Sequence, residues 1–466
     1  MRDNDEMGIA ARITEADLTR LDVLIAEQEA TLLSRQRRSA ELAARAWRSL
    51  AGGVTSSWQI TRPQPIWISH GAGSKVCDAD GNEYVDLHGG YGVMAVGHAH
   101  PAIVRAVSER VGRGTHFAQP TEDAIVVAEE LARRFDLPLW RFANSGTEAT
   151  MDAVHLMRAI TGRPKIVKVE GTYHGHHDSL QVSVYQLLPE LGPPDRPNSA
   201  AASAGIPEEI IRLTRVVPFN DLDALQRVFT ENAGEIAGMI VEPVMMNAGI
   251  IQPDPGYLEG IRQITQRHDA LLAFDEVKTG FTVGPGGATR LYGVTPDIVC
   301  LAKALGGGLS GAAIGGTQEV MGSVERREYE QVGTFNGNPL FTAAARAALT
   351  EILTDEAYAH FARLRKEMVD GCEEVLGAYG LPAHVVALGA KGCVTFSPTA
   401  VRNYRDFLQI DDRFSHCHWL FQLNGGVFLP PWGKAEQWLL SVQHTSEDVQ
   451  RFLENFNRFA SALRAG

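Results

Sequence analysis

The sequence has few features of a secreted or membrane-embedded protein. Only five of its 466 residues are cysteines, and Cys77, Cys300, Cys372, Cys393 and Cys417 lack the paired spacing of a zinc site. An odd, scattered set of this kind predicts reduced thiols and a cytoplasmic location. No apolar run approaches the roughly 20 residues that a membrane-spanning helix needs, and the first residues lack the apolar core of a secretory signal.

Positive charge is also scarce. The chain has 43 Lys and Arg against 56 Asp and Glu, which gives a net charge of −13 at pH 7. Nucleic acids and anionic membranes select basic patches, so neither is expected as a main partner. The length and a hydrophobic fraction of 44% are sufficient for a large domain with a sizeable core and for a smaller domain.

The N-terminal region predicts one long helix followed by a small β unit. Over residues 14–50, Thr14 is a candidate N-cap, and Leu18, Leu21 and Leu24 recur at helical spacing. Residues 66–87 alternate apolar and polar positions around an Asp-Gly turn at residues 80–81, which is typical of antiparallel strands.

The middle of the chain predicts a mostly parallel sheet covered by helices. Short apolar strands alternate there with amphipathic helices. The predicted strands are residues 140–143, 165–170, 237–242, 271–275, 297–301 and 312–315. A helix is expected from Leu340 to about Leu353, and a mixed α+β tail follows it. We therefore expect an arm and part of a small domain over residues 1–95, a large domain over 96–340 and the rest of the small domain over 341–466.

One segment does not fit the alternation of strands and helices. Residues 185–207 are rich in Pro, Ala, Ser and Gly. A long loop inside a compact domain is usually functional or disordered, and the sequence leaves both open.

Polar segments follow several predicted strands, where open α/β sheets bind ligands. Ser145, Gly146, Thr147 and Glu148 open a helix after the first of these strands, and the free N–H groups of a helix N-terminus can hold a phosphate. The alternative is an ordinary cap, with Ser145 as N-cap and Glu148 as the capping-box residue.

Two charged residues end apolar strands. Asp275 needs a partner such as a protonated heterocycle nitrogen, because an unpaired buried carboxylate is unstable; capping of the next turn is the alternative. Lys303 is followed by Gly306–Gly308, and burial would favour its neutral, nucleophilic form, unless the side chain extends to solvent. A polar turn at residues 333–339 precedes the next helix. Taken without the other segments, this turn is typical of an ordinary loop.

Together these segments resemble a known family. SGTEA, YHG, FDEV, AKALGGG and TFNGNPL occur in the order and spacing of the class III aminotransferases, and Asp275 and Lys303 are 28 residues apart (303 − 275), as in that family. GHAHP, EPVMMNAG and HTSED are similar to the glutamate-1-semialdehyde aminomutase branch. The resemblance covers roughly residues 45–460. It implies the pyridoxal 5′-phosphate (PLP) transferase fold of type I, with a mostly parallel seven-stranded sheet and a small α+β domain built from both termini.

The resemblance also implies roles for individual residues. The catalytic set would be Lys303, which carries PLP as a Schiff base, Asp275, which pairs with the ring nitrogen, and Tyr173, which stacks on the ring opposite Val277. The remaining cofactor contacts would be Ser145, Gly146, Thr147, His174, Glu242, Asn247 and, from the neighbouring subunit of a homodimer, Thr334. Near the substrate we expect Trp58, Gln59, Arg62 and Glu148, and no metal.

The resemblance predicts a two-substrate aminotransferase. An amino group would pass from a primary amine or amino acid to a carbonyl acceptor, and the cofactor would alternate between PLP and pyridoxamine phosphate. Gln59 stands where the aminomutase has its carboxylate-binding arginine, with Arg62 three residues later, and residues 185–207 are longer than the aminomutase gate. The alternatives are an aminomutase, another PLP reaction such as decarboxylation or racemisation, and a non-catalytic protein without PLP.

Overall fold

The N-terminal region forms two helices instead of the single helix predicted. The computed structural model describes residues 15–431, 433–435 and 437–465, so the candidate cap Thr14 lies outside the described residues. The helices are α1 (Glu15–Arg35) and α2 (Arg37–Ala46). They separate because the Asp80 carboxylate accepts the backbone N–H groups of Arg38 (2.5 Å) and Ser39 (2.9 Å) and so caps α2 from a distant turn.

The predicted β unit follows these helices. Strands β1 (Ile68–Ala72), β2 (Lys75–Asp78) and β3 (Glu83–Asp86) pair antiparallel, and Gly81 has the left-handed φ of 85° that its turn requires. A single helical turn, α3 (Gly89–Gly92), comes next.

A seven-stranded sheet forms the centre of the molecule. Its strands are β4 (Leu139–Ala143), β5 (Lys165–Val169), β6 (Thr214–Val217), β7 (Ile236–Val241), β8 (Leu271–Asp275), β9 (Ile298–Leu301) and β10 (Ala312–Gly316). The order is β4-β10-β9-β8-β7-β5-β6, and four of the six strand pairs are parallel, which confirms the predicted fold class. Only β6 was not predicted, because its four residues are too short to show a period.

Helices cover both faces of this sheet. They are α4 (Pro101–Val111), α5 (Glu122–Phe135), α6 (Gly146–Thr161), α7 (Glu208–Ile211), α8 (Leu222–Glu231), α9 (Tyr257–Arg267), α10 (Gly287–Tyr292) and α11 (Gln318–Glu325). In β8, Ala273 packs in the cluster of α6 and α11, whereas Leu272 and Phe274 pack in the cluster of α5, α8 and α9. Because strand residues alternate between faces, Asp275 lies on the α6 face.

The C-terminal region adds helices and short strands. They are α12 (Pro339–Ala347), continued by a π-helical turn (Ala348–Ile352), α13 (Asp355–Tyr379), β11 (His384–Leu388), β12 (Lys391–Thr395), α14 (Tyr404–Leu408), α15 (Asp412–Asn424), β13 (Val427–Phe428), β14 (Trp438–Leu439) and α16 (Ser446–Arg464). Strand β13 pairs with β3, so the two ends of the chain share a sheet. This pairing supports a small domain built from both termini, and its boundaries stay a prediction.

The long segment at residues 185–207 is ordered and attached to the rest of the protein. The Arg405 guanidinium pairs with the buried Glu170 carboxylate (2.9 Å) and donates to the Gly192 carbonyl (2.8 Å). The Ser183 N–H, just before the segment, donates to the Ala200 carbonyl within it (2.8 Å). In the described part of the chain, no helix is long and apolar enough to cross a bilayer.

Candidate active site

The carboxyl ends of the central strands open into one cavity. Parallel strands place these ends at a common edge, and the cavity there measures about 300 Å³. Eleven of the residues expected from the sequence line it: Trp58, Ser145, Gly146, Thr147, Tyr173, His174, Glu242, Asn247, Asp275, Val277 and Lys303. They come from segments up to 245 positions apart (303 − 58), which only the fold brings together.

The N-terminus of α6 forms an anion cradle at one side of the cavity. The Ser145 hydroxyl accepts the Glu148 N–H (3.2 Å) as a helix cap, whereas the N–H groups of Gly146 and Thr147 belong to the first turn, which has no acceptor within the helix. A Cβ added at Gly146 would lie 3.0 Å from Val277, and one added at Gly175 would lie 2.7 Å from Thr147. Small residues therefore keep this end of the cavity open to a phosphate group.

Glu148 has a different position from the one expected. Its carboxylate accepts the backbone N–H (2.6 Å) and the side-chain amide (3.0 Å) of Asn144, so it turns back toward the strand end instead of facing the cavity. It holds Asn144, which does line the cavity. Glu148 itself does not line the cavity, and a substrate contact there stays a prediction.

Asp275 is buried at the end of β8 and is oriented by neighbours on two sides. One oxygen accepts the Val277 N–H (3.0 Å), and the other is 2.8 Å from Nδ1 of His174. Each oxygen keeps acceptor capacity for a further donor in the cavity. Nε2 of His174 is buried and has no hydrogen-bond partner among the described residues.

The adjacent Glu276 faces the opposite side, as alternation along a strand requires. Its carboxylate accepts the N–H groups of Ala288 (2.7 Å) and Thr289 (2.6 Å) and the hydroxyls of Thr279 and Thr289 (both 2.7 Å). Glu276 is thus a structural residue and does not form a carboxylate pair with Asp275.

Lys303 follows β9 in a strained backbone conformation. Its φ of 49° lies in the left-handed region, which destabilises a non-glycine residue by about 1–3 kcal/mol and is found mainly at functional sites. Burial lowers the pKa of its amine, and the charges of Asp275 and Glu242 oppose this shift. A neutral, nucleophilic amine is therefore favoured more than in water.

Glu242 and Asn247 form the floor of the cavity around the Tyr173 backbone. Glu242 accepts the N–H groups of Tyr173 (3.1 Å) and Met246 (2.9 Å), and burial raises the pKa of its carboxyl group. The Asn247 amide donates to the Tyr173 carbonyl (3.5 Å). These contacts fix the segment that carries Tyr173.

Aromatic side chains close the mouth of the cavity. Trp58 meets Tyr173 and Tyr91 edge to face, with ring centroids 5.1 and 5.6 Å apart. Tyr185, from the long segment 185–207, stacks on Tyr173 at 6.5 Å. That segment therefore borders the entrance.

Gln59, Arg62 and Thr334 do not line this cavity. The Gln59 side-chain oxygen accepts the N–H (3.1 Å) and hydroxyl (2.7 Å) of Thr55, and Gln59 faces a neighbouring cavity instead. Arg62 lines neither of these two cavities, and a substrate contact at Arg62 stays a prediction. Thr334 lies in an exposed segment beside a separate cavity that Arg141 and Asn336 also line.

Two lysines, the half-buried Lys278 and the buried Lys391, were missed from the sequence. Lys278 lines the cavity one residue after Val277, and Lys391 at the start of β12 lies beside Gly92 near Lys303. A lysine inside the apolar run from Val385 to Phe396 was the available signal for Lys391. No local pattern pointed to Lys278.

Comparisons with known proteins agree with this geometry. The family model described as aminotransferase class-III matches residues 58–457. The glutamate-1-semialdehyde 2,1-aminomutase 2 of Brevibacillus brevis is 38% identical over 423 residues, 90% of this chain and 96% of that protein. An omega-transaminase from Sphaerobacter thermophilus has a TM-score of 0.87 and 33% identity, over 92% of this chain and 98% of that one. A glutamate-1-semialdehyde aminomutase variant from Pseudomonas aeruginosa, in complex with pyridoxamine phosphate, also has a TM-score of 0.87, with 31% identity over 96% of this chain and 99% of that one.

The chain therefore belongs to the class III aminotransferases. It is a PLP-dependent enzyme, and its relatives include both aminomutases and transaminases.

Proposed function

We propose that the enzyme transfers an amino group between two separate substrates, with Lys303 and Asp275 as its catalytic pair. The observation that carries this proposal is that the Lys303 amine and the Asp275 carboxylate share one cavity with the N-terminus of α6. An amine, a carboxylate and an anion cradle match the aldehyde, the ring nitrogen and the phosphate of PLP.

PLP, when bound, supplies an aldehyde that condenses with amines and a ring that delocalises an electron pair. The N–H groups of Gly146 and Thr147 bind its phosphate and fix its position. Val277 packs beside Gly146, and the proposed place of Tyr173 is the other ring face. Asp275, oriented by His174, holds a proton on the ring nitrogen.

Lys303 moves the proton in the chemical step. Its amine would hold the cofactor aldehyde in the resting enzyme. Once a substrate amine frees it, Nζ would serve as base and then as acid for the proton on the substrate carbon that bears the nitrogen. Burial serves this step because a protonated amine cannot act as a base.

Two observations favour transfer between separate molecules over an intramolecular shift. Where the aminomutase has its arginine, this chain has Gln59, whose side chain binds Thr55. Among the described residues, no arginine lines the cavity. The entrance is bordered by a long segment tied to Arg405, in place of the shorter aminomutase gate. Such a gate is expected to let the first product leave before the acceptor binds.

The test is a half-reaction with the PLP-loaded enzyme. A panel of primary amines and amino acids is mixed with it in the absence of an acceptor, and loss of the absorbance of the lysine-bound cofactor reports the donor. We expect conversion to the pyridoxamine form with at least one donor, and recovery only after a carbonyl acceptor is added. Stoichiometric conversion of glutamate-1-semialdehyde to 5-aminolevulinate without an acceptor would show an aminomutase instead.

We also propose a homodimer in which Thr334 completes the phosphate site of the neighbouring subunit. Thr334 does not reach the cavity of its own chain, and it lies between Val332 and Phe335, which are 82% and 56% exposed. Because large apolar patches mark interaction sites, we propose that these two side chains pack against the neighbouring subunit.

Hybrid dimers test this arrangement. Thr334→Ala subunits mixed with Lys303→Ala subunits would form one site with both residues intact. We expect the mixture to regain PLP affinity and turnover that neither variant has alone. Unchanged activity in the mixture, with subunit exchange demonstrated, would contradict the shared site.

A cytoplasmic location is the last part of this proposal. The five cysteines form no disulfide in the described part of the chain, and four of them are buried. Fractionation of the source cells with a soluble cytoplasmic marker tests it, and recovery with the membrane or secreted fraction would contradict it.

A further inference from the structure

The segment that carries Thr334 is bonded to the same unit that forms the phosphate cradle. This segment, residues 329–336, is mostly exposed, and Thr334 does not reach the cavity of its own chain. Hydrogen bonds on both sides of Thr334 nevertheless fix the segment to the end of β4 and to α6. These contacts have no role in the chemistry described above, so their purpose needs an explanation.

On the N-terminal side of Thr334, the contacts converge on Asp152 in the middle of α6. The two oxygens of its carboxylate accept the Tyr329 hydroxyl (2.6 Å) and the Gln331 side-chain amide (3.0 Å). Asp152 is only 5% exposed, and burial raises the pKa of its carboxyl group, although the two donors favour the charged form. Because both donors come from the segment, a segment that moved away would leave this buried carboxylate without them, which is unfavourable.

Gln331 and Tyr329 make further contacts with the two elements that flank the cradle. The Gln331 amide also donates to the Phe142 carbonyl in β4 (2.8 Å), so one side chain joins the segment to both β4 and α6. The Tyr329 ring meets the His155 ring of α6 edge to face, with centroids 5.6 Å apart. The segment is therefore fixed to the β4–α6 unit by polar and by ring contacts.

On the C-terminal side of Thr334, the contact reaches the cofactor cavity. The Asn144 amide donates to the side-chain oxygen of Asn336 (3.1 Å), and Asn144 itself lines the cavity and is held by the Glu148 carboxylate. A Cβ added at Gly333 would lie 2.2 Å from that Asn336 oxygen, so glycine permits the tight turn that places Asn336 there. Glu148 thus contributes to the position of the segment through Asn144.

We propose that Asp152 is a positioning residue for Thr334. Through Tyr329 and Gln331, it holds the segment in the conformation that reaches the neighbouring subunit. One helix then serves two cofactors: the N-terminus of α6 binds the phosphate of its own subunit, and Asp152 in the same helix fixes the threonine that binds the phosphate of the partner subunit. The inference rests on the proposed homodimer with its shared Thr334 site and extends it.

The arrangement predicts which subunit is affected when the network is broken. A substitution in the network should weaken cofactor binding in the neighbouring subunit, because the Thr334 segment acts there. A merely structural role of Asp152 would instead weaken binding in the subunit that carries the substitution, because α6 forms the cradle of that subunit. The subunit that loses PLP therefore separates the two roles.

The experiment uses the double variant Tyr329→Phe/Gln331→Met, alone and in hybrid dimers with Lys303→Ala. Phenylalanine keeps the ring, and methionine keeps an unbranched side chain of similar length. Tyr358→Phe is the matched control, because the hydroxyl of this α13 residue donates to the Phe281 carbonyl (3.3 Å), not to Asp152. Two affinity tags select the hybrids, and thermal melting verifies folding. Tyr329→Phe alone replaces the double variant if the latter does not fold.

PLP-loaded dimers are dialysed against cofactor-free buffer, and the fall in absorbance of the lysine-bound cofactor gives the rate of PLP release. A Lys303→Ala subunit contributes nothing to this absorbance, so each hybrid reports only the site of the other subunit. We expect double-variant homodimers to release PLP about tenfold faster than wild type, as for the loss of one or two hydrogen bonds, and the control to stay within about twofold.

The two hybrids give the decisive comparison. When the double variant pairs with a Lys303→Ala subunit, an intact segment completes its site, and we expect the wild-type rate of release. When all three substitutions are in one subunit, its wild-type partner should release PLP about tenfold faster. A loss that stays with the double-variant subunit, or equal rates in all dimers, would overturn the assignment.

Thr334→Ala homodimers separate this inference from the proposals on which it rests. Fast release from these dimers, with wild-type release from the double variant, would refute the role of Asp152 and leave the shared site in place. Wild-type release from Thr334→Ala would refute the shared site and the inference with it. Because cofactor release needs no substrate, an enzyme that reacts with no amino donor would disprove the aminotransferase function alone.

Discussion

Replacing Lys391 by methionine should stabilise the folded protein, most strongly at pH 7 and below. Lys391 is almost fully buried, and its pKa is lowered from 10.5 to about 7 by burial and by Lys303. At pH 7 and below, the unfolded chain has a fully charged lysine, whereas the folded protein must either bury the charge or lose the proton. Methionine has a similar shape and no charge, so it removes this penalty.

The magnitude follows from the difference between the two pKa values. About 3.5 pH units (10.5 − 7) correspond to about 4–5 kcal/mol at about 1.4 kcal/mol per unit, as an upper estimate. With an unfolding entropy of about 2 cal/mol/K per residue, a chain of 466 residues gains about 1 °C in Tm per kcal/mol. We therefore expect Lys391→Met to raise Tm by about 2–4 °C at pH 7.

The sign of the pH dependence is specific. Between pH 7 and 10.5 the unfolded chain binds a proton that the folded protein does not, so wild-type stability gains from rising pH through this group. The advantage of the variant is thus full below pH 7 and shrinks to less than about 1 °C at pH 10. Calorimetric melts of the PLP-loaded proteins, at equal concentration and scan rate, measure both values. A variant no more stable than wild type at pH 7, or an advantage that is the same at pH 10, would refute the reasoning.

Three further substitutions test the site and its support. Lys303→Ala should keep the fold but lose the absorbance of the lysine-bound cofactor and about 10²–10⁴-fold in turnover, and near-normal turnover would exclude its assigned role. Asp275→Asn, which removes the charge that His174 orients, should slow the half-reaction by about 10–100-fold at unchanged PLP content, as measured by stopped-flow absorbance. Glu276→Gln should reduce the free energy of unfolding by about 1–3 kcal/mol, because an amide group then faces backbone donors, while activity per folded molecule is retained in assays after each melt.

Several elements could be predicted because they depend on local patterns. The strand at Leu271–Asp275 is a buried apolar run, and the helix at Gly146–Thr161 begins with a serine cap; both were predicted within a residue or two. Strand β6 could not be predicted, since its four residues have no distinctive period and their extended conformation depends on pairing with β5. The break at Gln36 was also missed, because its cause is a carboxylate 44 positions away (80 − 36).

The sequence by itself was sufficient to predict the family, most of the central strands, and the lysine and aspartate that the fold places in one cavity. These features are encoded by short motifs whose chemistry is visible in the residue types. Only the tertiary structure decided that Gln59 and Glu148 bind neighbouring groups outside the cavity and that Lys278 lines it. Side-chain direction and burial depend on partners that are distant in the chain, and no local pattern contains them.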